Sequence, residues 1–108
     1  MEIKKLIQAL DAFAALHSDP NAVHQHHFRV LLEVFKHDDQ CLYKDVMEAV
    51  GLANSSVSRI VHALGAEHRT GRPGLGLLKV FRDPDYGRRY VIALTPKGTA
   101  FKRQLKNL

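Results

Sequence analysis

Apolar residues recur at helical spacing through the first third of the chain. Seven of them predict an amphipathic helix over residues 3–17: Ile3, Leu6, Ile7, Leu10, Phe13, Ala14 and Leu16. The polar sequence SDPN at residues 18–21 marks a break, because Ser and Asp can cap a helix and Pro is tolerated in a first turn. A second helix is expected from about Ala22 to His37, with a buried face formed by Phe28, Leu31, Leu32 and Phe35.

Two short helices are predicted next, over residues 44–50 and 54–64. Gly51 is suited to end the first of them in the left-handed conformation. Asn54 or Ser55 is the expected N-cap of the second. The inward-facing residues of the two helices are Val46, Met47, Val50, Val57, Ile60, Val61 and Leu64. A short helix, a glycine turn and a second helix at this spacing predict a helix-turn-helix unit.

The hydrophobic period then changes from 3.6 to 2, which is typical of strands. A hairpin is predicted, with a turn-rich sequence at residues 83–89 and strands marked by Leu78, Val80, Tyr90, Ile92 and Leu94. Thr95 and Pro96 are expected to cap a last helix that runs from Lys97 to about Lys106.

The element order α-α-α-α-β-β-α predicts a mainly α (α+β) fold, a winged helix-turn-helix, formed by residues 1–108 as a single domain. Its expected parts are an N-terminal helix at 1–17 that serves dimerisation, a helical core at 22–64 with the helix-turn-helix at 44–64, a basic glycine-rich insertion at 65–77, a β-wing at 78–94 and a C-terminal helix at 97–108.

Charge is distributed unevenly along the chain, whose formal net charge is +5. Residues 1–50 contain five basic and eight acidic side chains, a balance of −3, whereas residues 51–108 contain eleven basic and three acidic ones, a balance of +8. The excess of basic side chains in residues 51–108 predicts contact with a polyanion. Nucleic acid is favoured over an anionic membrane, because the basic half has no amphipathic helix with a Lys-rich face.

The sequence also indicates a compartment. No apolar run approaches the ~18 residues of a membrane span, and the N-terminal residues lack the uninterrupted apolar segment of a secretory signal. The single Cys41 cannot form an internal disulfide, which fits a reducing environment. These features predict a cytoplasmic protein, either bacterial or of a phage in a bacterial cytoplasm.

The segment TGRPGLGLLK, residues 70–79, raises the question of a nucleotide site because it contains three glycines. A Walker-type loop requires Lys and then Ser or Thr after its second glycine, where this chain has two leucines. The dinucleotide fingerprint fails because Lys79 stands where its third glycine is needed. We instead expect a basic arm in which Arg69 and Arg72 contact phosphates or a minor groove. A spacer kept soluble by its cations is the alternative.

The second helix of the helix-turn-helix has a polar outward face. Short side chains there let the backbone approach a duplex, and Arg59 can fork onto a guanine or a phosphate. The predicted DNA-contacting residues of this helix are Asn54, Ser55, Ser56, Ser58, Arg59 and His62. The alternative is that Ser55 and Ser56 only cap the helix and the remainder is a solvated face.

Three blocks of the sequence resemble MarR-type winged-helix transcription regulators. They are FRVLLEVF at residues 28–35, VGLANSSVSRIVHAL at 50–64 and DPDYGRRYVIALTPKG at 83–98. The combination of GL-x-x-S-[ST]-V-S-R with the D-P…R…L-T-P-K-G ending is specific, although either alone is weak. The blocks lie within a stretch from Phe28 to Gly98, which is most of the chain.

The resemblance implies a homodimer that binds palindromic double-stranded DNA with the Ser/Arg helix in the major groove. The wing would enter the minor groove, with Arg88 and Arg89 at its tip and Lys79 and Arg82 along its ribbon. A small-molecule effector is a further possibility within the family, and no cofactor is expected.

The sequence departs from the family pattern in four places, one of which is the expected insertion at residues 65–76 between the recognition helix and the wing. Tyr86 stands where an Asp usually braces the wing arginine, and Met47 stands where a small Ala is common before the turn glycine. The chain stops at Leu108, before the long C-terminal dimerisation helices of typical members. We therefore expect a dimer to rely on the helix at residues 3–17 and the short tail.

Other functions have weaker support. The HQHH sequence at residues 24–27 has no paired cysteines or HExxH pattern beside it, so no metal site is expected. The acidic neighbours Asp38 and Asp39 oppose a redox role for Cys41, and no catalytic constellation predicts an enzyme. An alternative with the same fold is a small accessory protein of phage or plasmid type, which binds a replication origin or docks on another protein.

Overall fold

A computed structural model describes residues 2–17, 25–37, 40–66, 74–83 and 89–108. Five helices and three strands occur in these ranges, and they confirm the predicted winged helix-turn-helix fold. The elements are α1 (Ile3–Ala14), α2 (Gln25–Lys36), β1 (Gln40–Leu42), α3 (Tyr43–Val50), α4 (Asn54–Leu64), β2 (Leu78–Arg82), β3 (Tyr90–Leu94) and α5 (Pro96–Lys106).

The helix bounds follow the hydrophobic pattern closely, with small differences at the ends. α1 ends at Ala14 instead of residue 17, and the next residues form a tighter turn in which the His17 N–H donates to the Ala14 carbonyl over 3.0 Å. The predicted break at residues 18–21 and the start of the second helix at Ala22 lie outside the described residues. α5 begins as predicted, because the Thr95 hydroxyl accepts a hydrogen bond from the Gly98 N–H over 3.1 Å.

The turn between α3 and α4 confirms one expectation and corrects another. Gly51 has φ 70° and its N–H donates to the Met47 carbonyl over 2.9 Å, which is the predicted left-handed end of the helix. The N-cap of α4 is Ala53, and no side chain accepts a capping hydrogen bond there, so the prediction of Asn54 or Ser55 as N-cap was wrong. Asn54 and Ser55 lie inside the first helical turn and point their side chains outward.

The sheet contains one strand that the sequence did not predict. β1 pairs with β3, and β3 pairs with β2, so the antiparallel order is β1-β3-β2. A strand of three residues is too short to show alternation, which is why the sequence did not predict it.

Burial in the wing differs from a simple alternation. The central strand β3 is buried at every residue except Tyr90, which is 46% exposed. In β2 only Leu78 is buried, and Val80 is 41% exposed although the period of two placed both side chains on one face. Residues 79–82 of β2 and Tyr90 of β3, the exposed outer half of the hairpin, therefore lie outside the core.

The core lies where α1, α2 and α4 meet the sheet. Its largest fully buried side chains include Phe13, Leu31, Leu64 and Ile92. Phe13 stacks on Phe28 with ring centroids 4.6 Å apart and so joins α1 to α2.

The buried face of α2 includes a charged residue that the hydrophobic pattern missed. Leu32, predicted to be buried, is 40% exposed, whereas Glu33 is only 1% exposed. The Arg29 guanidinium donates to one carboxylate oxygen of Glu33 over 2.8 Å, and the His37 ring donates to the other over 2.7 Å. These bonds, that from Arg29 above all, outweigh the effect of burial and lower the pKa of Glu33 to about 2.

Candidate nucleic-acid interface

The exposed side of α4 carries most of the residues predicted for a recognition helix. At 100° per residue, Ser55, Arg59 and His62 lie opposite the buried Val57 and Leu64. All three are exposed, as is Asn54, whereas Ser56 and Ser58 are half-buried on the two flanks of the helix. The structure thus exposes four of the six residues and leaves Ser56 and Ser58 half-buried at the edges of that surface.

A groove of about 720 Å³ runs between α4 and β2. Asn54, Ser58 and His62 form the wall on the helix side, and Lys79 lies on the strand side. The remaining lining is largely apolar or aromatic: Tyr43, Val61, Gly65, Ala66, Leu78, Val80 and Tyr90. Predicted DNA-contacting residues from the helix and from the wing therefore border the same concave surface.

Two hydrogen bonds fix polar groups at this groove. The Tyr43 hydroxyl donates to the Asn54 carbonyl over 3.3 Å and so ties the start of α3 to the first turn of α4. The His62 Nδ1–H donates to the Ser58 carbonyl over 2.7 Å, which leaves Nε2 as an acceptor in the neutral ring. Sequence reasoning missed Tyr43, whose only signal was an aromatic residue at the start of the predicted helix-turn-helix.

The wing presents a second polar pair on its exposed outer half. Arg82 and Tyr90 are opposite each other in the β2–β3 register. The Arg82 Nε and Nη2 groups donate to the Tyr90 hydroxyl over 3.3 and 3.1 Å, and the Arg82 Cζ lies 5.4 Å from the Tyr90 ring centroid. Arg82 was predicted as a contact residue, whereas Tyr90 was treated only as a strand residue.

A backbone hydrogen bond follows the Arg82–Tyr90 pair at the distal end of the two strands. The Asp83 N–H donates to the Arg89 carbonyl over 2.9 Å, so Arg89 lies where the loop between β2 and β3 meets β3. Its side chain lines a cavity of about 360 Å³ with Tyr43 and Asp45 of α3. Arg88 lies outside the described residues.

The two ends of the predicted insertion lie together at the C-terminal end of α4. The N–H groups of Gly74, Leu75, Gly76 and Leu77 donate to the carbonyls of Ala66, Ala63, Gly65 and Leu64 over 2.7–3.0 Å. A Cβ at Gly74 would collide with the Gly65 carbonyl, so this close approach requires glycine. Leu77 is fully buried and belongs to the core instead of an exposed arm. Arg69 and Arg72 lie outside the described residues.

Neither the Cys41 thiol nor the histidines within the described ranges are arranged for catalysis or metal binding. Burial raises the pKa of Cys41 to about 11, and the nearby carboxylates of Asp45 and Glu33 add to the effect. The thiol is thus protonated at neutral pH and a poor nucleophile. Within the described ranges no three His, Cys, Asp or Glu side chains are arranged to hold a metal ion. No helix formed by the described residues is long and apolar enough to cross a membrane.

The fold and this groove define a winged helix-turn-helix protein. No family model and no curated protein matches the sequence. Solved structures do match it, among them the PcaV transcriptional regulator from Streptomyces coelicolor in complex with its natural ligand. That structure is 28% identical, covers 96% of this chain and 67% of its own chain, and has a TM-score of 0.61.

Two more distant structures have the same fold. A mutant MarR from Escherichia coli complexed with operator DNA is 17% identical and covers 97% of this chain and 65% of its own, with a TM-score of 0.65. A mutant MepR from a multidrug resistant Staphylococcus aureus clinical isolate is 17% identical and covers 96% and 66%, with a TM-score of 0.70.

The chain spans about two thirds of the length of these neighbours. The comparison confirms the resemblance found in the sequence: the chain has the winged-helix fold of the MarR-type structures that it matches.

Proposed function

We propose that the protein is a transcriptional regulator that binds double-stranded DNA in a sequence-specific manner. The observation that carries this proposal is that Asn54, Ser58 and His62 of α4 and Lys79 of β2 lie on two walls of one groove. The neighbour solved with operator DNA is consistent with it. In this arrangement α4 enters the major groove and the β2–β3 wing lies over the adjacent minor groove.

The chemistry of α4 suits this role. Ser55 and Arg59 project from the same outward stripe, one turn apart. A hydroxyl near a helix N-terminus, together with the exposed N–H groups of the first turn, can donate to phosphate oxygens. Arg59, one turn further along, can form two parallel hydrogen bonds with a guanine edge. The helix therefore offers donors for the phosphate contacts that fix its position on the duplex and for the contacts that recognise a base.

The salt dependence of binding follows from the number of phosphates neutralised. If each subunit of a dimer contacts about three to five phosphates, the slope of log affinity against log salt concentration is about −5 to −9. Lys79, Arg82 and the cations beyond the described residues would supply these contacts.

A homodimer is proposed from a separate, apolar surface of the molecule. Four apolar side chains of α1 are strongly exposed: Ile3, Leu6, Ile7 and Leu10. Beside them lies a cavity of about 540 Å³ between α1, α2 and α5, lined by Leu6, Leu32, Phe35, Leu105 and Leu108 and bordered by lysines. A second copy covering this surface would bury apolar area that is costly to leave in water. Dimerisation would also place two α4 helices on one duplex.

Selection of bound duplexes from a random-sequence pool tests the proposal. We expect the parent chain to enrich a common, palindromic sequence, and Arg59→Ala to enrich a common sequence much less strongly. Arg103→Ala, which removes an exposed cation of α5, is the matched control and should recover the parent sequence. A pool with no enrichment, at low salt, would contradict the proposal.

Light scattering separates the proposal from its alternative. A dimer supports the regulator arrangement, whereas a stable monomer that enriches no sequence favours an accessory protein that docks elsewhere through its apolar face. A small-molecule effector, such as the natural ligand of the neighbour from Streptomyces, is proposed only as a class and would be detected as a change in DNA affinity.

A further inference from the structure

The Arg82–Tyr90 pair combines three features on the exposed half of the wing. The two residues are direct cross-strand neighbours, the guanidinium donates twice to the phenol oxygen, and Tyr90 also lines the groove between α4 and β2. A long Arg side chain on an exposed strand ordinarily samples many rotamers, and holding it has an entropic cost. Here the Tyr90 hydroxyl and ring hold the guanidinium along the strand surface before any ligand is bound.

The hydrogen-bond inventory then determines what the pair offers to a ligand. The Tyr90 oxygen accepts from Nε and Nη2 of Arg82, so its own O–H proton is directed elsewhere, and Nη1 of Arg82 has no partner among the described residues. The pair therefore presents only donors: guanidinium N–H groups and a phenol O–H whose donor strength is increased because its oxygen accepts from a cationic guanidinium. A donor-only pair carrying one positive charge matches an anionic oxygen.

We propose that Tyr90 is a positioning residue for Arg82, and that the two together bind a backbone phosphate of duplex DNA at the mouth of the groove. This inference rests on the proposed DNA-binding function. A phosphate is favoured over a base edge because the Nε/Nη2 fork, one edge used for bidentate base reading, is occupied by Tyr90.

The experiment measures affinity against salt concentration for the parent, Tyr90→Phe, Arg82→Ala and the double variant. Two probes are used: a duplex recovered from the random pool and its scrambled counterpart. We expect Tyr90→Phe to weaken binding about threefold to tenfold and Arg82→Ala by at least as much, with equal effects on both probes. Arg82→Ala should reduce the magnitude of the salt slope by about 0.9 per subunit.

Three readouts separate positioning from a structural role. Tyr90→Phe should have a smaller effect in the Arg82→Ala background than in the parent, because the hydroxyl acts mainly by positioning the guanidinium and retains only its own donation to the same phosphate. Arg82→Lys should retain the salt slope, but the affinity of this variant should no longer depend on the Tyr90 hydroxyl. The reason is that an ammonium group cannot form the paired hydrogen bonds that the guanidinium forms with the Tyr90 oxygen. Each variant should unfold at the same temperature as the parent, and Arg103→Ala, the charge-matched control, should bind like the parent.

Several outcomes would overturn the inference. Parent affinity for Tyr90→Phe on both probes would show that the hydroxyl positions nothing, while leaving the DNA-binding function intact. Additive effects in the double variant would exclude a common phosphate, and a loss confined to the selected duplex would assign base reading to Arg82. A parent chain that binds neither probe would overturn both this inference and the proposed function.

Discussion

The two concave surfaces of this protein differ in the groups that line them. The groove between α4 and β2 has hydroxyl, amide, imidazole and ammonium groups among apolar and aromatic side chains, whereas the cavity between α1, α2 and α5 is lined by leucines and phenylalanines with lysines at its edge. Both are open, and both adjoin exposed helices. Their chemistry, more than their shape, indicates a polyanion for the first and a protein surface for the second.

The difference shows how one short chain can separate two tasks. Hydrogen-bond donors on α4 and the wing read and hold a charged ligand that remains hydrated at its edges. The apolar stripe on α1 gains free energy only when water is removed from it, which requires another protein surface. A substitution in the groove should therefore leave dimerisation unchanged. A substitution in the apolar surface should leave DNA binding unchanged as long as the oligomeric state is the same.

The largest expected effect is on assembly. Leu6→Glu combined with Leu10→Glu places two carboxylates on the exposed apolar face of α1. Four half-exposed leucines per dimer contribute about 4 kcal/mol, so the dissociation constant should rise by roughly 10³-fold. Light scattering over a dilution series measures it. Gln8→Glu, an exposed position on the same helix, is the control and should dimerise like the parent.

The next effect concerns α2, which supports both surfaces. Glu33→Gln removes the buried negative charge that Arg29 and His37 contact and should lower the free energy of unfolding by about 2–3 kcal/mol at pH 7. Because the pKa of Glu33 is lowered on folding, its contribution is present above its ordinary value of 4.5 and is lost as the pH falls toward about 2. Urea unfolding of the parent and of Glu33→Gln, at pH 7 and at a pH near 2, measures the difference in free energy of unfolding between the two proteins, which should be smaller at the acidic pH. An equal difference at both pH values would contradict the claim that the charge of Glu33 stabilises the fold.

The effect on DNA reading is comparable in size but confined to one surface. Arg59→Ala should weaken binding to a selected duplex by about 1–3 kcal/mol and relax specificity at one position. Fluorescence anisotropy with base-substituted duplexes measures both, and light scattering should show an unchanged dimer. A variant that binds all duplexes like the parent would remove Arg59 from the interface.

The smallest effect is expected at the strand wall of the groove. Lys79→Gln removes one exposed cation and should weaken binding only a few-fold, equally for selected and scrambled duplexes, with a salt slope smaller by about 0.9 per subunit. The same change at Lys106, on the edge of the other cavity, is the matched control. Should Lys106→Gln alter the slope instead, the assignment of the two surfaces is reversed.

The sequence predicted the fold wherever periodicity extended over several turns or a whole strand. α4, with four apolar residues facing one way, has the predicted bounds, and Gly51 ends α3 as expected. β1 was missed because three residues carry no period. Leu32 and Glu33 were misassigned because a hydrophobic pattern ranks leucine as buried and cannot anticipate that three basic neighbours make a carboxylate tolerable in the core.

The candidate site was predictable only in part, for a related reason. Polar residues on the outward face of a predicted helix, such as Ser55 and Arg59, can be found from the helical period alone. The pairing of Arg82 with Tyr90 depends on the register between two strands, and the contact of Tyr43 with Asn54 depends on how two helices pack. Neither is encoded in local spacing, so the groove became visible only in three dimensions.

The most direct test of the central claim is a map of the duplex footprint on the chain. Backbone amide signals of the parent protein, recorded by NMR during titration with a selected duplex, should shift in α4 and in β2 while those of α1 and α5 remain in place. Shifts concentrated in α1 and α5, with α4 unchanged, would show that the helix we assign to the major groove does not contact DNA.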